Sequence, residues 1–279
     1  MIKSVLLPID GSPYTEAILN YGEYFYKKFG AFVRLLSVVD IRLFDWSVAT
    51  SADSFVPILP SAEFQEESQK IQDEKAQKVI EKASQILDKK KVAYEVIKIS
   101  GIPVDEICQY AKTTDLVVMG TRGEYERWSG KLLGATAEAV TRQIAKPVML
   151  VDKTFVDFKQ IQCGYDGSIT ANHALQMAAF FAKTLNLPLN VIAVFDSEDE
   201  AQAVLQEAEK YLVPYQIKFH LKHEKGNVEE VLIAEQNNAS VPSLMVIGGY
   251  GKSRLTEAIL GSTTVHVMRK AAKPILLVK

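Results

Sequence analysis

The second half of the chain repeats the first, and a repeat of this length means two copies of one fold. Residues 2–12 read IKSVLLPIDGS and residues 159–168 read KQIQCGYDGS, each an apolar run ending in Asp-Gly-Ser. DLVVMGTRG at 115–123 returns as SLMVIGGYG at 243–251, and KPVMLV at 146–151 returns as KPILLV at 273–278. Asp10 and Asp166 lie 156 residues apart, whereas Gly120 and Gly248 lie 128 apart. The first copy therefore holds about 28 extra residues, most of them in 41–75. That stretch carries Pro57, Pro60 and several serines without a clean period, and reads as a long loop or lid. Domains are expected at 1–152 and 158–279.

Each copy alternates short apolar runs with helical patterns. Strands are expected near 2–9, 31–39, 92–99, 115–120 and 147–152, and again near 158–165, 188–195, 214–222, 243–248 and 274–279. Helices are expected near 13–29, 65–90, 103–112 and 135–145, and again near 169–185, 198–212, 227–238 and 262–271. Continuous runs such as LVVMG and LMVIG call for burial on both faces, which helices on both sides of a parallel sheet provide. The fold class is α/β: two tandem, doubly wound, five-stranded parallel sheets. Such sheets hold ligands beyond the carboxyl ends of their strands. Asp10, Asp166, Gly120 and Gly248 all fall at such ends. The segment 65–91 is amphipathic, with Ile71, Val79, Ile86 and Leu87 as its apolar stripe, and reads as a surface helix.

Composition narrows the function. The chain has 279 residues, 48% hydrophobic and 24% charged, with net charge −2. Residues 1–152 carry 19 basic and 21 acidic side chains, and residues 153–279 carry 13 of each. Neither half has the basic footprint of a nucleic-acid binder. No stretch is long and apolar enough for a membrane span, and the N-terminal run is too short for a signal-peptide core, so a cytoplasmic protein is expected. Cys108 and Cys163 stand apart within apolar segments and read as buried, reduced thiols. His220 and His223 have strand spacing rather than metal-site spacing, so no metal ligands are expected. Ser12 and Ser168 follow glycine after a strand but lack the nucleophile-elbow pattern; they read as caps of the following helices.

The chemistry concentrates in the glycine segment. Gly248-Gly249-Tyr250-Gly251 is followed by nine residues and then Gly261-Ser262-Thr263-Thr264. Gly248 follows a buried strand, where glycine permits a positive φ or a close approach of backbone to ligand. Gly261-Ser262 opens a helix whose first amides favour an anion. Asp166 faces the same crevice and can accept hydrogen bonds from a ribose or a base amine. Val194 ends the second strand and offers main-chain groups to an adenine edge. By itself such a segment is also what ordinary turns and a helix cap look like. Gly251-Lys252-Ser253 is not the end of a phosphate-binding P-loop, because Val246 stands where its first glycine belongs. The dinucleotide fingerprint is absent as well.

The pattern Gly-x2-Gly-x9-Gly-Ser, with an early strand ending in Asp-Gly-Ser, resembles the universal stress proteins, and the resemblance covers both halves. It implies a fold of the adenine-nucleotide alpha-hydrolase-like type and a crevice for ATP, AMP or ADP. Any Mg2+ would arrive with the nucleotide. It also implies pairing through last strands, making the two halves an internal pseudo-dimer; a homodimer of the whole chain and the protein partner stay open. The implied nucleotide contacts in the second half are Asp166, Val194, Ile247, Gly248, Gly249, Gly251, Gly261, Ser262 and Thr263, with Thr264 a weaker carry-over.

The first copy departs from the pattern. Ten residues separate Gly123 from Gly134, and Ala135 replaces the hydroxyl residue. A lost hydrogen bond to a charged phosphate is worth about 1.5–3 kcal/mol. Asp10, Val38, Gly120, Gly123, Gly134 and Thr136 therefore form the weaker expected site. No side chain is placed to activate water, so no catalytic residues are expected and hydrolysis would be slow at most. Three functions stay open: a nucleotide-binding regulator of stress response, a slow ATPase or adenylyl-transfer enzyme, and a nucleotide-free dimerisation scaffold.

Overall fold

A computed structural model describes residues 1–42, 62–124, 133–249, 262–270 and 272–279. In the first half, strands β1 (Ser4–Pro8), β2 (Phe32–Asp40), β3 (Tyr94–Gly101), β4 (Leu116–Gly120) and β5 (Val148–Val151) alternate with helices α1 (Thr15–Phe29), α2 (Ala62–Lys89), α3 (Pro103–Ala111) and α4 (Ala135–Gln143). In the second half, β6 (Gln160–Gly164), β7 (Leu189–Val194), β8 (Phe219–Glu224), β9 (Ser243–Gly248) and β10 (Ile275–Val278) alternate with α5 (Ile169–Leu185), α6 (Glu198–Leu212), α7 (Val228–Asn238) and α8 (Ser262–Lys270). The expected elements are all present, with ends shifted by a few residues. One boundary matters: 62–75 is helical, so this part of the expected loop belongs to α2, and 43–61 lies outside the described residues.

All ten strands form one sheet in the order β3-β2-β1-β4-β5-β10-β9-β6-β7-β8. Read from either edge, the order is the same within each half. Pairing inside each half is parallel, and the halves meet where β5 and β10 pair antiparallel. Met149 faces Leu276 at the centre, flanked by Leu150 with Ile275 and Val148 with Leu277. The repeated KP-x-x-L-V motif thus meets its own copy. The pseudo-dimer arrangement is built into a single polypeptide.

Both sheet faces add to this joint. On one face, Phe25 and Phe29 of α1 pack against Phe181 of α5 with ring centroids 6.1 and 5.3 Å apart. The connecting segment joins them: Phe158 lies 5.2 Å from the Tyr24 ring, and Tyr21 hydroxyl donates to Val156 carbonyl at 3.2 Å. Burial pushes the Tyr21 hydroxyl well above its ordinary pKa. On the other face, Glu138 of α4 accepts from Arg142 at 2.7 Å and pairs with Arg269 of α8 at 3.5 Å.

Two expectations are corrected. The buried side of α2 is Ala76, Ile80, Ala83 and Leu87, while Ile71 is exposed. The alanines complete a stripe at helical spacing that large side chains alone do not reveal. Cys163 is buried, and burial pushes its thiol up to about 12, but Cys108 is only partly buried. Strand β6 carries Gln160 and Gln162 inside the fold. Ser243 donates to Gln162 at 2.9 Å and Gln162 donates to the Glu235 carbonyl at 3.0 Å, so these buried amides are satisfied.

Candidate functional site

The two Asp-Gly-Ser turns are built alike. Asp10 accepts the Ser12 N–H and Asp166 accepts the Ser168 N–H, both at 3.0 Å. Gly11 and Gly167 sit at φ +77° and +74°, in the left-handed region that glycine occupies without strain. Each turn lies under the second helix of its half: a Cβ on Gly11 would come within 2.6 Å of Val79, and one on Gly167 within 3.5 Å of Val204. Ser168 caps α5 by accepting from Ala171 N–H at 3.2 Å. Ser12 does not cap α1 in that way. Pro13 follows it, Ser12 accepts from Tyr14 N–H at 3.4 Å, and the helix starts only at Thr15.

Gly120 and Gly248 are glycines for a reason other than the one expected. Neither has a positive φ. A Cβ on Gly120 would sit 2.8 Å from Tyr14 Cβ and 2.6 Å from the Arg122 carbonyl. One on Gly248 would sit 2.8 Å from the Thr170 backbone. The close approach is to the start of the first helix of each half, at Tyr14 before α1 and at Thr170 in α5.

In the first half a cavity of about 610 Å³ opens at the carboxyl ends of β1, β2 and β4. All six residues of the weaker expected site line it: Asp10, Val38, Gly120, Gly123, Gly134 and Thr136. Val104, Ile107 and Met119 add an apolar wall of the kind an aromatic base requires. Helix α4 begins at the cavity. Its N-cap is Gly134, no side chain caps it, and Ala135 and Thr136 line the opening. Orphan amides at a helix start favour an anion. The Gly134 amide closes the turn instead, donating to the Thr121 carbonyl at 2.9 Å.

Charged side chains line the cavity as well, and Asp40, Arg42, Lys75 and Glu124 were not picked out from sequence. Asp10 accepts a second bond, from Glu124 N–H at 2.9 Å. Lys75 of α2 pairs with the Glu124 carboxylate. Arg42 pairs with Asp40 at 2.6 Å. Burial acts to raise the Asp40 pKa, but the hydrogen bonds and charge of Arg42 outweigh it and hold the carboxyl below its usual range. Lys75 and Glu124 are 49 residues apart on a helix and a turn, a spacing without any periodic signal.

In the second half, Asp166 lies just beyond β6, and Val194, Ile247 and Gly248 lie at the ends of β7 and β9. The Gly249 amide is used by the sheet, donating to the Val278 carbonyl at 2.7 Å. Thr264 is buried, and its hydroxyl donates to the Gly248 carbonyl at 3.3 Å. Ser262 and Thr263 open α8. Gly251 and Gly261 lie outside the described residues. Among the described residues, no group of three or more His, Cys, Asp or Glu is placed to hold a metal ion. No helix among them is long and apolar enough to cross a membrane.

The sequence profile of the Universal stress protein family matches residues 1–152 and again 157–279. The chain belongs to the universal stress protein family. It does so twice over, as a tandem member. A universal stress protein of Synechocystis is 27% identical over 285 residues, covering 99% of both chains. One from Methanocaldococcus jannaschii is 29% identical over 157 residues, 55% of this chain and 84% of that one. The crystal structure of a universal stress protein from Archaeoglobus fulgidus superposes with a TM-score of 0.77 at 26% identity, covering 99% of this chain and 98% of that one. A structure from Pseudomonas aeruginosa, at 16% identity and a TM-score of 0.68, covers 100% and 93% and shares the fold.

Proposed function

We propose that this universal stress protein binds an adenine nucleotide, ATP, ADP or AMP, at the carboxyl ends of its strands and acts as a cytoplasmic regulator in stress response. The observation that carries this reading is that one cavity is lined by Asp10, Val38, Gly120, Gly123, Gly134 and Thr136 together. Its apolar wall suits the base, Asp10 suits the ribose, and the start of α4 suits a phosphate. Any Mg2+ accompanies the nucleotide. The second site, which the sequence pattern assigns to Asp166, Val194, Ile247, Gly248, Gly249, Gly251, Gly261, Ser262 and Thr263, is the tighter of the two because it keeps the hydroxyl residues the first has lost. Thr264 supports it from behind through Gly248. The two halves act as separate domains, 1–152 and 158–279, about the shared strands.

Calorimetric titration with ATP of the wild type, Gly261→Val and Gly134→Val tests this. A Cβ on Gly134 already lies 3.0 Å from Arg122 Cα, so valine crowds the first phosphate turn. Loss of the tighter phase in Gly261→Val and of the weaker phase in Gly134→Val is expected. Equal losses contradict the asymmetry. Absence of binding and of a thermal shift in the wild type supports a scaffold, and many turnovers per minute with labelled ATP an enzyme.

A further inference from the structure

We propose that the first crevice takes adenine ligands with one phosphate and turns away the polyphosphate tail, with the Lys75–Glu124 pair setting that choice. This rests on the nucleotide reading above and adds the class of ligand. A single phosphate fits the uncapped start of α4, where Ala135 and Thr136 line the cavity. Further phosphates have to share the mouth with the Lys75–Glu124 pair. That pair runs from α2 to the residue that follows Gly123, and both of its members line the crevice beside the glycine turn.

Among the described residues lining the cavity, Arg42, Lys75 and Arg122 are matched by Asp10, Asp40 and Glu124. Lys75 is held by Glu124, Arg42 by Asp40, and Arg122 is itself engaged. A tail that took Lys75 would leave the Glu124 carboxylate unpaired next to an incoming anion. Asp10 stands at the same turn, because its carboxylate accepts the Glu124 N–H. Gaining that cation contact thus exposes the tail to the freed Glu124 carboxylate, and like charges repel more strongly in a partly enclosed site than in bulk water. An adenosine monophosphate or cyclic monophosphate has no further phosphate to bring to the Lys75–Glu124 pair.

Hydrogen-exchange mass spectrometry on the full chain separates the crevices, because peptides spanning 133–144 and 262–270 are read independently. AMP is expected to protect 133–144 at a concentration at least about tenfold lower than ATP, with or without Mg2+. Glu124→Gln frees Lys75 and removes one charge; it should bring ATP down by about tenfold, the size of one charge-assisted hydrogen bond, and leave AMP within about twofold. Lys75→Gln should weaken ATP further and leave AMP unchanged. Protection of 133–144 by ATP at an equal or lower concentration than AMP overturns the inference, as does an equal shift of both ligands in Glu124→Gln. Protection of 262–270 alone overturns it too, leaving the second crevice as a nucleotide site. Absence of protection of either segment by either ligand removes the nucleotide reading itself.

Discussion

Ala135→Ser should restore phosphate affinity to the first crevice. Ala135 is the first residue of α4, exposed and on the cavity wall, and the residue before it is a glycine that offers no side chain to the helix start. A serine hydroxyl there adds one donor beside amides that already attract an anion. A hydrogen bond to a charged group is worth about 1.5–3 kcal/mol, or roughly tenfold to 150-fold in affinity. The helix-propensity cost of replacing alanine with serine is about 0.5 kcal/mol. That cost falls on free and bound protein alike and does not subtract from affinity. The assay is a titration with AMP, read as protection of 133–144, with 262–270 as the internal control. A gain below about threefold would refute the reasoning: either Thr136 already supplies the donor or the phosphate lies elsewhere.

Other consequences concern the joint and the core. Phe181→Ala removes a fully buried ring that touches α1 across the two halves; a loss of about 3–5 kcal/mol is expected in denaturant unfolding, and a loss under 1 kcal/mol would contradict the packing. Leu276→Asp places a carboxylate at the centre of the β5–β10 pairing, where the side chain is fully buried, and should abolish cooperative unfolding of the two halves as seen by calorimetry. Glu138 is held below its usual pKa by its hydrogen bond to Arg142, against burial, and by the charges of Arg142 and Arg269. Its contribution is therefore complete above the ordinary glutamate range and lost as pH falls through the depressed value. Thermal melts of Glu138→Gln should lie below wild type at neutral pH and converge with it in acid. Cys163, buried with its thiol pushed up to about 12, should resist alkylation at neutral pH in folded protein while Cys108 reacts first; equal rates would contradict the placement of β6.

The architecture was legible because the repeat doubled every signal: two Asp-Gly-Ser turns, two glycine segments and two KP-x-x-L-V strands had to take equivalent places. What escaped was carried by small or distant residues. Ala76 and Ala83 complete the buried side of α2, yet a stripe traced on large side chains passes through Ile71 instead. Ser12 looks like Ser168, but Pro13 shifts the start of α1 and the serine bonds to Tyr14. Gln160 and Gln162 are polar letters in a strand that stays buried only because Asn190, Ser243 and the Glu235 carbonyl meet them. The set of paired charges lining the first crevice depends on α2 crossing above a turn far away in the chain, which no local spacing encodes. Gly120 and Gly248 stand out in the sequence, and the tight contact they permit is with the start of the first helix of each half.

Crystals grown with AMP and with ATP would test the central claim most directly. The account predicts AMP in the first crevice with its base near Val38 and its phosphate at the start of α4, and a nucleotide in the second crevice between Gly248 and Ser262. Crevices closed by the protein's own side chains in both halves, with no nucleotide at either strand end, would contradict it.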